Sequence, residues 1–161
     1  MECELLSRNS SSNHSLHYDY EPITPLRCLT LKQTHPPNWE ILCSMEDHND
    51  IRRTLPNIWD GNQTNIVNII RNKWNIVDYT ELEIHTVCGI LETNAFDVSH
   101  NGSKARALYS SSFLFSHNCV PNTTHTNDHN YHFKIRTSVP VPRNQTLTLT
   151  YTYIIEVIIV Q

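Results

Sequence analysis

The stretch "YHFKIRTSV", Tyr131 to Val139, decides the class of fold. Tyr131, Phe133, Ile135, Thr137 and Val139 alternate with His132, Lys134, Arg136 and Ser138, and a period of two is what a strand with one buried face requires. Pro140 and Pro142 end the pattern. Further on, Leu147, Leu149 and Tyr151 alternate with Thr148 and Thr150 and predict a second strand. Upstream the period becomes helical. Thr80 and Glu83 stand at capping-box spacing, and Ile84, Val87, Cys88 and Leu91 continue on one face, predicting a helix from about Glu81 to Leu91.

Two more helices are predicted before it. Asn38 follows Pro36-Pro37 as an N-cap, and Trp39, Leu42 and Met45 recur at three-residue spacing before Pro56 stops the pattern. Thr64 caps a further helix whose stripe is Ile66, Val67, Ile70 and Trp74, with an Asn- and Arg-rich opposite face. Residues 7 to 22, rich in Ser, Asn and His, have little periodicity and read as a loosely packed lead-in. The expected class is α+β: helices first, then short antiparallel strands, with no internal repeat.

The 161 residues suit one domain; 39% are hydrophobic, 17% are charged and the formal net charge is -4, which excludes a bulk-electrostatic nucleic-acid binder. Cys3, Cys28, Cys43, Cys88 and Cys119 contain no C-x-x-C pair, so no complete zinc finger is present. Met1 to Asn13 lacks the apolar core of a signal peptide, and the expectation is a reducing compartment, cytoplasmic or nuclear. Sequons such as Asn62-Gln63-Thr64 then read as chance matches. The closing run Ile154 to Val160 falls short of the roughly 20 residues a bilayer demands and is broken by Glu156. No membrane partner is expected.

Three segments carry a resemblance: "CGILETNAFDV" (Cys88 to Val98), "RALYSSSFLFSHNCVPNT" (Arg106 to Thr123) and "NQTLTLTYT" (Asn144 to Thr152). In this order they resemble the core of a SET domain of the SET- and MYND-domain (SMYD) lysine methyltransferase family, with its "N-x-F", "NHSCxPN" and "GEELTxSY" segments. "PITPLRCLTLK" (Pro22 to Lys32) and the helices from Trp39 to Trp74 are similar to the helical insert of the arthropod branch. "MECELL" resembles the end of a MYND finger, with Cys3 as its last ligand. The resemblance implies an incomplete chain: residues 1–21 a lead-in after a missing finger, 22–83 a helical insert, 84–153 a partial SET core of short antiparallel strands, and 154–161 an atypical apolar tail.

It also implies S-adenosyl-L-methionine as cofactor and a protein substrate with a target lysine, a histone among the candidates. Asn94, Ser116 and His117 match the cofactor-binding positions, and Tyr151 matches the tyrosine that lines the lysine channel. Cys119 matches the cysteine that joins a post-SET zinc in the complete family; no cysteine follows it here, so zinc is not expected in this chain. Each residue has a structural reading beside the functional one. Asn94 would terminate the preceding helix, His117 would be a hydrogen-bonded structural residue, Tyr151 a core tyrosine and Cys119 a plain buried thiol.

Departures from the pattern are Ser116 for Asn, Asn118 for Ser and Ala107 for Gly. The Gly-x-Gly strand that cradles the cofactor has no counterpart among Gly61, Gly89 and Gly102. The expectation is therefore a methyltransferase-like chain impaired as a fragment. The alternative, from a different class, is a non-catalytic SET-like protein-interaction module.

Overall fold

The computed structural model describes residues 21–100 and 103–151. The chain divides into two compact units between Asn94 and Ala95. Cys3, most of the lead-in and the closing apolar run lie outside the described residues. Among the described residues no helix is long and apolar enough to cross a membrane. The class is α+β, with helices confined to the first unit apart from one short turn and strands to the second.

In the first unit, α1 (Ile23–Thr34), α2 (Pro36–Cys43), α3 (Asn49–Arg52), α4 (Pro56–Asn62) and α5 (Glu81–Asn94) surround one apolar core. Leu26 and Leu29 of α1, Ile84, Val87 and Ile90 of α5, and Ile76 and Tyr79 of the connection before α5 are fully buried, each aliphatic side chain contributing about 1.5–3 kcal/mol. Burial pushes the buried Cys88 thiol up to about 12 and the half-buried Cys28 thiol to about 11, so both stay protonated at neutral pH. Helix α1 was not predicted from periodicity. Its buried face includes Pro25 and Thr30, which dilute the apolar signal, and the Thr30 hydroxyl is satisfied by the Arg27 carbonyl at 2.7 Å.

The predicted helix after Asn38 begins two residues before that residue, with Pro36 and Pro37 in its first turn, where a missing N–H costs nothing. Asn38 is thus inside the helix, and Met45 lies beyond its end. Thr64 is likewise no cap. α4 begins at Pro56 and runs on through two wide π-helical turns, Gln63–Val67 and Ile69–Lys73. There Asn68 N–H reaches Gln63 O and Trp74 N–H reaches Ile69 O, five residues back in each case. The predicted stripe Ile66, Val67, Ile70 and Trp74 is buried.

The capping box at α5 forms as its spacing predicts. Thr80 N–H donates to Glu83 Oε2 at 2.8 Å, and Glu83 N–H donates to Thr80 Oγ1 at 3.2 Å. Lys32 of α1 adds an ion pair to the same carboxylate. Desolvation works against the charge, but the Lys32 and Thr80 hydrogen bonds prevail and hold the Glu83 carboxyl below its usual range. The helix extends past Leu91 to Asn94.

A buried cation sits beside α5. Arg52 Nε donates to Glu92 Oε2 at 3.0 Å, and one terminal nitrogen donates to Asn49 Oδ1 at 2.7 Å and to the His85 carbonyl at 3.0 Å. Asn49 in turn donates to Thr86 Oγ1 and Asp47 Oδ2 at 2.9 and 2.7 Å. A Cβ on Gly89 would stand 2.2 Å from the Asp47 carbonyl oxygen and 2.8 Å from Arg52 Nη1. Glycine is what lets this backbone and the guanidinium approach α5.

In the second unit, β1 (Phe96–His100) pairs antiparallel with β2 (Ser103–Ala107), and β4 (Thr123–Asn127) with β5 (Phe133–Thr137). A short 3₁₀ turn spans Ser112–Leu114. β3 (Ser116–His117) and β6 (Thr148–Leu149) pair parallel, against the expectation of antiparallel strands alone. β5 is shorter than the predicted Tyr131 to Val139. Tyr131 has φ 61° in the preceding turn, where Asp128 Oδ1 accepts the Asn130 and His132 N–H groups at 2.9 and 3.0 Å. Of the predicted strand Leu147 to Tyr151, only Thr148 and Leu149 pair.

An Ala at a helical glycine ordinarily stabilises by about 1 kcal/mol. Here Gly89→Ala should instead destabilise by about 1–3 kcal/mol, the cost of overpacking against backbone, whereas Thr80→Ala should cost about 1 kcal/mol through the lost cap. Urea unfolding of both variants checks this; a stabilised Gly89→Ala protein contradicts the packing described.

Candidate functional site

The second unit brings two distant segments side by side. In the parallel pair Ser116 lies opposite Thr148 and His117 opposite Leu149, and Asn118 N–H extends the contact to Leu149 O at 3.1 Å. Two-residue strands hold weakly alone, and the side chain of Asn122 supplies the rest. Its Oδ1 accepts Thr148 N–H at 2.8 Å and its Nδ2 donates to the Thr146 carbonyl at 2.9 Å. Its backbone N–H donates to Thr148 Oγ1 at 3.0 Å. Thr123 Oγ1 completes the clamp on the Thr148 carbonyl at 2.6 Å. Thr123 and Leu149 are buried beneath it.

Two residues past β6, Tyr151 meets His117. The Tyr151 backbone N–H donates to His117 Nδ1 at 3.1 Å, and the two rings lie 5.2 Å apart at 49°. A backbone N–H can only donate, so Nδ1 carries the lone pair and the neutral ring holds its proton on Nε2. That nitrogen is 3.4 Å from Cys119 Sγ. The Tyr151 hydroxyl donates to the Phe115 carbonyl. Tyr151 is no core residue, being 52% exposed, yet partial burial still raises its phenol above the ordinary value. The hydroxyl therefore stays protonated at neutral pH.

Cys119 is exposed, which corrects the expectation of a buried thiol. It follows β3 into a turn where Asn118 Oδ1 accepts Val120 N–H at 2.9 Å. Ser116 is exposed as well. Asn94 is the last residue of α5 and belongs to the first unit. Both hydrogens of its side-chain amide are used there, on the Glu46 carbonyl at 2.8 Å and the Ile90 carbonyl at 2.9 Å. Its Oδ1 remains as an acceptor.

An aromatic cluster adjoins Tyr151. Phe96 meets it edge-on at 6.5 Å and 89°. Phe133 lies 4.8 Å from Phe96, 4.5 Å from Tyr109 in a stacked pair, and 4.9 Å from His125. Offset and edge-on pairs of this kind contribute about 0.5–1.5 kcal/mol each. Desolvation lowers the His125 imidazole below its ordinary value, so it joins the cluster as a neutral ring. Phe96 and Asn122 were not singled out as site residues from the sequence, although both lie within the segments "CGILETNAFDV" and "SHNCVPNT". A buttressing role for them becomes visible only once the partners are known.

A structural zinc takes four donors, and Cys119 with His117 offers two. Among the described residues no group of three or more His, Cys, Asp or Glu side chains could hold a metal ion. The described residues therefore do not fit a zinc site. Comparison with protein-family models, with curated proteins and with solved structures gave no match.

If Asn122 is the clamp, Asn122→Ala strands a part-buried N–H of Thr148 and should cost about 1–3 kcal/mol in urea unfolding. A change within about 0.5 kcal/mol, the level of ordinary surface substitutions, would contradict the clamp.

Proposed function

We propose that this chain carries the cofactor and lysine-channel residues of an S-adenosyl-L-methionine-dependent protein-lysine methyltransferase with a SET-like core of SMYD type, acting on a lysine of a protein substrate such as a histone. One observation carries the reading. His117 and Tyr151, 34 residues apart in the chain and matched to two different family segments, stand in direct hydrogen-bonded contact.

The chemistry of Tyr151 supports it. Because its hydroxyl donates to the Phe115 carbonyl, the oxygen lone pairs remain free to accept an N–H from an incoming amine. The raised phenol keeps this oxygen neutral, and a neutral acceptor holds the amine without stabilising its ammonium form as a phenolate would. The Phe96 ring meets Tyr151 edge-on, and together with the hydroxyl's bond to the Phe115 carbonyl it supports a fixed placement of the phenol, which positioning catalysis requires.

Within the second unit, the polar ends of such a cofactor need hydrogen-bond donors, and the exposed Ser116 hydroxyl is one. His117 has Nδ1 occupied by Tyr151 and so contributes through its Nε2 side and its ring face. When bound, the cofactor supplies a sulfonium methyl group for in-line attack by a neutral lysine amine. The chain's own residues hold that amine at Tyr151 Oη and leave its proton to solvent.

A second reading, the non-catalytic interaction module, is favoured by the helical unit, where Ile51 of α3, Leu55 between the helices and Ile58 of α4 are exposed apolar side chains. Titration calorimetry with S-adenosyl-L-methionine separates the two. The methyltransferase reading expects micromolar binding that His117→Ala weakens about tenfold, the equivalent of one or two hydrogen bonds. Tyr151→Phe should leave cofactor affinity intact and lower methyl transfer. Absence of heat at millimolar cofactor would overturn the proposal in favour of the module.

A further inference from the structure

The first unit contains a buried histidine that the proposed chemistry does not use. His85 on α5 is 1% exposed. Its ring lies flat on Trp59 of α4, with centroids 3.7 Å apart and planes 4° from parallel. Its Nε2 contacts Gln63 Oε1 at 2.8 Å. Gln63 Nε2 donates to Asn68 Oδ1 at 3.1 Å, which fixes the amide orientation and makes Oε1 an acceptor. His85 Nε2 therefore carries the proton, and Nδ1 carries a buried lone pair with no protein partner. These two contacts join α5 to α4 and to its π-helical continuation.

We propose that His85 is a pH-sensitive latch: protonation of its ring releases the Pro56–Lys73 helical segment from α5. A second proton can go only to Nδ1, which would place a charge in a site that no acceptor reaches. The charged groups around the ring oppose one another. Arg52 and Arg53, from α3 and its C-terminal end, disfavour a cation there, and their guanidinium carbons already stand 6.0 and 5.2 Å from the centre of the Trp59 ring. Glu81 and Glu92 of α5 favour it, but Glu92 is engaged by Arg52 and by Asn62 Nδ2 at 2.7 Å. Lys32 of α1 is committed to Glu83, and Gln63 is neutral.

An indole face also attracts an imidazolium, worth about 0.5–2 kcal/mol. Full burial opposes it more strongly, since desolvation alone shifts buried groups by up to about 3–5 units. The balance, led by desolvation and then by Arg52, lowers the imidazole below its ordinary value of 6.5. A depressed histidine contributes its stability fully above 6.5, and that contribution is lost as the pH falls from there toward the folded value.

The test is amide hydrogen exchange of the full chain at about pH 7.5 and about pH 5.5, corrected for intrinsic rates, with an NMR titration of the His85 ring. One unit below 6.5 the opened ring is about tenfold more protonated than neutral, so exchange over residues 56–73 should rise by up to about tenfold. His85→Gln, which is unable to titrate, should abolish the rise. Equal protection at both pH values, or an equal rise in His85→Gln, would overturn the latch. Should that variant not fold, a His85 midpoint below 6.5 together with the exchange rise supports the proposal, and a midpoint at or above 6.5 overturns it.

Discussion

The clamp between Asn122 and Thr148 is the constraint on which the second unit depends. Among the described residues of that unit only Val98 and Leu149 are buried hydrophobic side chains, far fewer than a packed sheet normally uses. With so little apolar burial, the unit relies on satisfied polar groups to fix its register. Asn122 makes both groups of its amide and its own N–H serve one strand, and Thr123 adds a fourth bond. The parallel pairing of β3 with β6 follows from this clamp, and the contact of His117 with Tyr151 follows from the pairing.

The first unit solves the same problem by burial. Its core is apolar, and the one cation buried there among the described residues, Arg52, is paired with Glu92 and hydrogen-bonded to Asn49 and the His85 carbonyl. The guanidinium is buried while the Glu92 carboxylate is partly exposed, so losing the carboxylate would leave a buried charge without its ion-pair partner. Gly89 belongs to the same arrangement, since only a missing Cβ allows the Asp47 carbonyl and the guanidinium to lie against α5. The two units therefore differ in what their sequences must specify: volume in one, hydrogen-bond partners in the other.

That difference explains what could be read in advance. Helix α5 was legible because Thr80 and Glu83 form a local box that tertiary contacts do not alter. The stripe from Ile66 to Trp74 was legible as a buried face, but its π-helical turns were not, since a periodicity of four suits either geometry. The centre of β5 was legible, with Phe133 and Ile135 half-buried and Lys134 and Arg136 exposed. Its partner Thr123–Asn127 is polar throughout and gave no alternation to detect. At the candidate site, the matched segments pointed to His117 and Tyr151 without indicating that a parallel pair of two-residue strands would join them. The exposure of Cys119 depends on what covers the turn after β3, and no local pattern records that.

The central claim is that the segments around His117 and Tyr151 are held together in one site. Nuclear Overhauser contacts between the His117 ring protons and the Tyr151 ring protons test it most directly, in isotope-labelled protein at neutral pH. With ring centroids 5.2 Å apart, the account expects clear cross-peaks between the two rings, together with Ser116 to Thr148 contacts across the parallel pair. Well-resolved signals from both rings with no cross-peak between them would contradict it.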